Sequence, residues 1–216
     1  MKNKTFAVLG LGSFGMGVAD ALMERGAEVL AADRDEQLIR ENAEKYTRAV
    51  IADLTDEEEI RQLGLGNMDA VIVCMPQDLE ASIMCVMIAK ESGVHRVIAA
   101  AESRRKGEVL KKIGADQLVF PGQESGVRTA FQLMSREVLQ FFDLTSDLVV
   151  AEIEPRKEWF GKTLDELDLR KRYGINVIAL RRGEKVYDVS GSDMVIQSGE
   201  PLLIVISKAN LEAFVE

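Results

Sequence analysis

The segment Gly10-Leu11-Gly12-Ser13-Phe14-Gly15 follows the apolar run Phe6-Ala7-Val8-Leu9 and opens a helix-like stretch. Glycines at this spacing suit phosphate binding. The first permits a tight turn, the second lets backbone approach an anion, and the third lets helix and strand pack closely. The anion then rests on the positive end of the helix. Eighteen residues beyond Gly15, the strand-like run Glu28-Val29-Leu30-Ala31-Ala32 ends in Asp33, whose carboxylate can accept two hydrogen bonds from a ribose diol. That carboxylate would repel a ribose 2′-phosphate by about 4 kcal/mol at contact distance near a protein surface. The expected ligands are adenosine nucleotides or NAD(H), not NADP(H). Glycine turns alone are common; strand, helix, second strand and acidic end in this order carry the reading.

Other chemistry finds little support. A dehydrogenase needs an acid or base beside its hydride acceptor. Here the single histidine, His95, lies in a Ser92-Gly93-Val94 turn, and Tyr46, Tyr173 and Tyr187 are scattered. No G-x-x-x-x-G-K-[ST] loop supplies a phosphoryl-transfer site. No catalytic residue is assigned, and one histidine cannot make a His-rich metal site, so no metal ligands are assigned either. Asp56-Glu57-Glu58-Glu59 falls in the first turn of a helix, where each acid is worth about 0.3–1 kcal/mol against the helix dipole. The nucleotide is expected to be a signal, not a substrate. The alternative is a small NAD(H)-dependent oxidoreductase, or an NAD(H) redox sensor acting on another partner.

The elements that must position these residues alternate. Strands are expected at residues 5–9, 28–32, 49–51, 70–74, 96–100 and 117–120, and helices at 14–25, 36–46, 56–63, 79–92 and 104–113. Thr55 and Glu58 are spaced as a capping box, and Gly26, Gly64, Gly93 and Gly114 stand where helices should stop. Such alternation predicts parallel pairing with right-handed crossovers, a Rossmann-like doubly wound sheet of about six strands. Val127, Phe131, Met134, Val138 and Phe141 then recur at helical spacing, predicting one bridging helix over 122–140. After Leu144-Thr145-Ser146-Asp147, strands at 148–153, 176–180, 185–189 and 202–206 lack regular crossovers. They predict a small α+β module with a hairpin turn at Arg182-Gly183-Glu184 and a loop at Gln197-Ser198-Gly199-Glu200. The expected division is 1–140 and 141–216. Phe131, Phe141 and Phe142 suggest a subunit interface, with packing inside the chain as the alternative.

Length and composition fit an ordinary globular chain: 216 residues, 47% hydrophobic, 29% charged, formal charge −9. That charge argues against nucleic acid or a directly bound anionic membrane as partner. Arg104-Arg105 and Arg181-Arg182 read as solvated faces. No apolar run approaches the roughly 18 residues of a bilayer span, and Met1-Lys2-Asn3-Lys4 has no signal-peptide pattern. A cytoplasmic protein is expected. Cys74 and Cys85, the only cysteines, read as buried reduced thiols.

The ordered set of the glycine loop, Val50-Ile51-Ala52-Asp53-Leu54-Thr55, Lys112-Ile113-Gly114-Ala115-Asp116, the helix after Pro121 and Asp168-Leu169-Arg170-Lys171-Arg172-Tyr173-Gly174 resembles one family. It is similar to the cytosolic gating subunits of Ktr/Trk-type potassium transporters, an RCK (TrkA-N) domain joined to an RCK-C (TrkA-C) domain. The resemblance implies a homo-oligomer, commonly an octameric ring built from dimers. It also implies a membrane-embedded K⁺-translocating partner of the KtrB/TrkH type, to whose inner face the ring is peripheral. ATP, ADP or NAD(H) would bind at the glycine loop and bias the pore through the ring's shape. By position, Gly10, Gly12 and Gly15 would form the phosphate turn and Ser13 and Phe14 would offer N–H groups. Asp33 would contact the ribose, and Asp53 with Leu54 the adenine edge. Three positions depart from the family's ATP-binding pattern: Ser13 in place of an arginine, Gly122 in place of an acid with Glu124 nearby, and Ala100 in place of a lysine. They move the expectation from metal-assisted ATP sensing toward ADP or NAD(H). Some C-domains of the family bind cyclic di-AMP, for which Arg170 and Asn176 are the contacts by position; an ion pair and a turn asparagine are the alternative roles.

Overall fold

A computed structural model describes residues 4–134, 138–145, 147–189 and 194–215. The chain divides into two compact units, Met1–Glu124 and Ser125–Glu216.

The first unit follows the expected alternation. Its elements are β1 (Thr5–Leu9), α1 (Ser13–Glu24), β2 (Glu28–Asp33), α2 (Glu36–Asn42), β3 (Arg48–Ile51), α3 (Glu57–Gln62), β4 (Ala70–Val73), α4 (Leu79–Glu91), β5 (Val97–Ala100), α5 (Arg104–Ile113) and β6 (Gln117–Val119). All adjacent strands pair in parallel in the order β3-β2-β1-β4-β5-β6, the doubly wound arrangement. The chain reverses direction across the sheet between β1 and β4, whose C-terminal ends lie side by side. Ala7, Val8 and Leu9 of β1 and Val71 and Val73 of β4 are fully buried, as strands covered by helices on both faces must be. Gly26, Gly64, Gly93 and Gly114 all take positive φ where helices end, as their spacing predicts. The capping box expected of Thr55 and Glu58 does not form. The cap of α3 is Asp56, whose carboxylate accepts the N–H groups of Glu58 and Glu59. A carboxylate one residue closer to the helix displaces the hydroxyl.

Beyond β6 the chain departs further from expectation. Helix α6 spans Pro121–Met134, not 122–140, and Val138–Asp143 form a strand, β7. Ser135, Arg136 and Glu137 lie outside the described residues. Val138 to Phe141 satisfy helical spacing, yet β7 pairs antiparallel with β8 (Leu148–Ile153), and a completed ladder outweighs local periodicity. Phe141 packs on the second core while Phe142 on the opposite face is exposed; the side chain of Phe131 lies outside the described residues. The remaining elements are α7 (Leu164–Leu167), α8 (Leu169–Tyr173), β9 (Asn176–Arg182), β10 (Lys185–Asp188), β11 (Leu202–Ser207) and α9 (Lys208–Val215). The antiparallel sheet runs β10-β9-β11-β8-β7, with Gly183 at positive φ in the expected hairpin. The three short helices were not legible in sequence. One of them, α7, carries a true capping box, Thr163 with Glu166.

Trp159, 1% exposed, anchors this core, with ring centroids 5.8 Å from Tyr173 and 5.9 Å from Phe214. Arg156 covers the cluster, 4.3 Å from the Phe214 ring centroid, and donates to the Phe214 carbonyl at 2.8 Å. Arg181 and Arg182 are not simply solvated: they pair with Glu152 and with the buried Glu200, each at 2.6 Å.

Candidate nucleotide-binding site

A cavity of about 800 Å³ opens at the C-terminal ends of β1, β2, β3 and β4. Crevices form there in open α/β sheets, because the chain departs in opposite directions on either side of the switch between β1 and β4. Gly10, Gly12, Ser13, Phe14, Asp33, Asp53 and Leu54 all line it. Gly15 does not; its place is structural. A Cβ there would overlap the Gly10 carbonyl oxygen and stand 3.1 Å from Cys74 Cβ, so only glycine lets α1 sit this close to β1. Gly10 has φ +92°, and a Cβ would come within 2.5 Å of Met75 Cγ. Around Gly12 a Cβ would meet nothing within 4 Å: the space there belongs to the cavity.

Gly12 is the N-cap of α1, and Met16 donates to its carbonyl at 2.9 Å. No side chain caps this helix and its first turn holds no acid. The N–H groups of Ser13, Phe14 and Gly15 thus stand at an open helix N-terminus, a ready anion site. Asp33 does more than sequence suggested. Its Oδ2 accepts the Leu11 N–H at 2.6 Å and its Oδ1 the Asp35 N–H at 2.9 Å, tying the glycine loop to the end of β2. Each oxygen keeps a second lone pair for a ribose hydroxyl. Asp53 accepts from both the Thr55 hydroxyl (2.7 Å) and the Thr55 N–H (2.9 Å). The Thr55 hydroxyl, then its N–H, hold this carboxyl below the usual range, with Arg34 adding a smaller electrostatic pull. The Asp53 N–H is engaged by Glu59 Oε2 at 2.7 Å, whereas the N–H of buried Leu54 has no hydrogen-bond partner among the described residues.

The opposite wall, Cys74 to Ala81, escaped the sequence analysis. Asp78 caps α4 by accepting the Ala81 N–H at 3.1 Å; an Asp before an apolar helix is the signal that could have marked it. Arg34, immediately after the strand-end acid, was missed as well, and among the described residues is the one cation in the lining. Cys74 also lines the cavity, but burial pushes the thiols of Cys74 and Cys85 up to about 12, keeping both protonated and unreactive. Ala100 is buried on β5, and Glu124 Oε1 accepts the Phe120 N–H at 3.1 Å, closing the start of α6. Among the described residues, no group of three or more His, Cys, Asp or Glu side chains could hold a metal ion.

In the second unit Arg170 and Asn176 do come together, beside Asp165, Asp168 and Ile175, around a hollow of about 260 Å³. Arg170 sits on α8, and Asn176 begins β9 opposite Val205.

A glycine-loop cavity at the switch point of a parallel sheet, followed by a separate small α+β unit, defines a two-domain nucleotide-binding architecture. Residues 6–121 match the TrkA-N domain and residues 148–216 the TrkA-C domain. The chain is 39% identical to the Ktr system potassium uptake protein C of Bacillus subtilis, over 98% of its own length and 96% of the relative's. It is 36% identical to the Ktr system potassium uptake protein A of Vibrio alginolyticus, over 94% and 92%. Among solved structures, the GsuK channel bound to NAD matches with TM-score 0.64 and 17% identity, over all of this chain and 40% of that one. The NAD(P)-binding domain of an exopolyphosphatase-related protein from Archaeoglobus fulgidus matches with TM-score 0.50 and 29% identity, over 59% of this chain and 93% of that one. The chain belongs to the TrkA-N/TrkA-C family of Ktr-type potassium uptake proteins, with an RCK fold. No helix among the described residues is long and apolar enough to cross a membrane.

Proposed function

We propose that this chain is a non-catalytic, nucleotide-sensing subunit that gates a membrane-embedded K⁺ transporter. The observation that carries the reading is the open N-terminus of α1 facing the cavity, with Asp33 holding the glycine loop beside it. In this reading Gly10, Gly12 and Gly15 shape the phosphate turn, Ser13 and Phe14 donate N–H groups to phosphate, and Asp33 takes the ribose. Leu54 donates its unpartnered N–H to the adenine edge, with Asp53 shaping that end. Likeness to Ktr potassium uptake proteins over nearly the whole chain supports the transport role. The protein works in the cytoplasm as a ring of dimers, an octamer, docked on its transporter. Residues 1–140 sense the nucleotide, and 141–216 offer Arg170 and Asn176 to a second ligand such as cyclic di-AMP. Nucleotide binding shifts the pore only by its differential affinity for the two ring states.

The test is Gly12→Asp, whose Cβ would meet nothing within 4 Å and which places a carboxylate where phosphate would rest. In thermal-shift titrations with ADP, ATP and NAD⁺, the wild-type chain should gain about 2.7 kcal/mol at 100 times Kd. The variant should gain nothing and keep the unliganded melting temperature to within a few degrees. In cells lacking the protein, the wild type should restore K⁺ uptake and the variant should not; full restoration by the variant would end the gating reading.

A further inference from the structure

Two helix N-termini face the cavity, and they differ in charge. That of α1 is open. That of α4 is closed by the Asp78 carboxylate, and its first turn adds exposed Glu80, which also lines the cavity. The two carboxylates neutralise the positive end of α4 that could otherwise receive phosphate. This wall lies directly against the phosphate loop: Cys74 donates its N–H to Leu9 at 2.7 Å, and a Cβ on Gly10 would stand 3.1 Å from the Cys74 carbonyl oxygen. Among the described residues the lining carries four carboxylates, Asp33, Asp53, Asp78 and Glu80, and one guanidinium, Arg34, a net charge of −3. Arg34 follows β2, at the Asp33 end. Lys106 reaches the Gln77 carbonyl on the acidic wall at 3.4 Å, but its charge is balanced by Glu102 at 2.6 Å.

We propose that Asp78 and Glu80 set the ligand class of this site, selecting ADP-ribosyl dinucleotides over nucleoside triphosphates. The proposal rests on the nucleotide reading above. With adenosine anchored at Asp33, the first two phosphates reach the α1 N-terminus, and whatever follows them extends toward the α4 wall. A γ-phosphate there meets two carboxylates with no cation among the described residues left to balance them. A second ribose presents hydroxyls that donate to the same carboxylates. Ser13, at the head of α1, supplies no charge to offset the repulsion.

The experiment is isothermal titration of the full chain with NAD⁺, ADP and ATP at low salt in EDTA, so that no divalent cation screens the carboxylates. The wild type should bind NAD⁺ about tenfold or more tightly than ATP, with the gap shrinking as ionic strength rises. Glu80→Lys should close most of that gap by strengthening ATP binding. The near-isosteric pair Asp78→Asn with Glu80→Gln, in which the amide oxygen can still cap α4, should narrow it by a smaller factor. Wild-type affinity for ATP equal to that for NAD⁺, or a ratio unmoved in both variants, overturns the proposal while leaving the nucleotide site standing. No nucleotide binding at all, or undiminished binding by Gly12→Asp, overturns the nucleotide site and with it this selection.

Discussion

The two units solve the same packing problem with opposite consequences for ligands. In the first, every strand is parallel, so all six end at one edge, and α1 and α4 begin there. Loops, helix dipoles and strand-end carboxylates converge by topology alone, and the cavity reaches about 800 Å³. In the second, antiparallel strands distribute their loops to both ends of the sheet. The hollow holding Arg170 and Asn176 is about 260 Å³, and the largest buried side chain, Trp159, is spent on a core cluster with Tyr173 and Phe214. Parallel topology creates a site even before side chains are chosen. An antiparallel sheet must build one from individual residues.

If that contrast holds, damage should stay within the unit that receives it. Trp159→Ala should remove about 3–5 kcal/mol from the second unit, seen as an early transition in urea, while nucleotide affinity changes less than twofold. Gly15→Ala should cost about 1–3 kcal/mol by forcing α1 off β1. It should also abolish the proposed nucleotide binding, because the glycine loop moves with the helix; a retained titration curve would mean the loop geometry is not what binds. Thiol labelling offers a sharper local probe. Cys74 and Cys85 are both in the first unit with pKa values pushed up to about 12 by burial. At pH 8 they should resist alkylation in the native chain and in Trp159→Ala alike, and react at the rate the first unit opens.

The smallest effect is in acid. Asp116 sits below the usual carboxylate range, first because the Val97 N–H donates to it at 2.7 Å and then because Lys90 pairs with it. A depressed carboxyl adds stability that is complete above its unfolded pKa of about 3.9 and is lost as pH falls through the lower folded value. The first unit should therefore weaken below about pH 4. Asp116→Asn should flatten that dependence, by no more than about 1 kcal/mol because the group is partly exposed. Stability tracked by circular dichroism from pH 6 to 2 would show an unchanged slope if Asp116 contributes nothing.

The legibility of the chain follows the same division. The interior strands β1, β2, β4 and β5 read directly from sequence because burial on both faces demands nearly unbroken apolar runs, the half-exposed edge strands β3 and β6 because they continue the same alternation with helices, and the glycines after the helices are needed at positive φ. The cavity's glycine loop was legible because few residues can make that turn, and Asp33 because it is the acid that ends an apolar strand. Its other wall was not, since Met75, Pro76 and Glu80 gain meaning only when β4 is laid beside β1. Strand β7 was misread as helix because Val138, Phe141 and the preceding residues satisfy a 3.6 period as well as a strand. The three short helices of the second unit carry too few residues for any period to show.

Sequence alone determined the parallel α/β class, the glycine turn, the acidic end of β2 and the order of motifs that marks the family, because each is a local steric or charge requirement on one segment. Tertiary structure decided that Asp33 braces the loop through Leu11, that Val138–Asp143 join a sheet, and that α4 turns a neutralised end toward the cavity. These depend on which segments become neighbours. Pairing energy between distant segments is not written in the periodicity of either one.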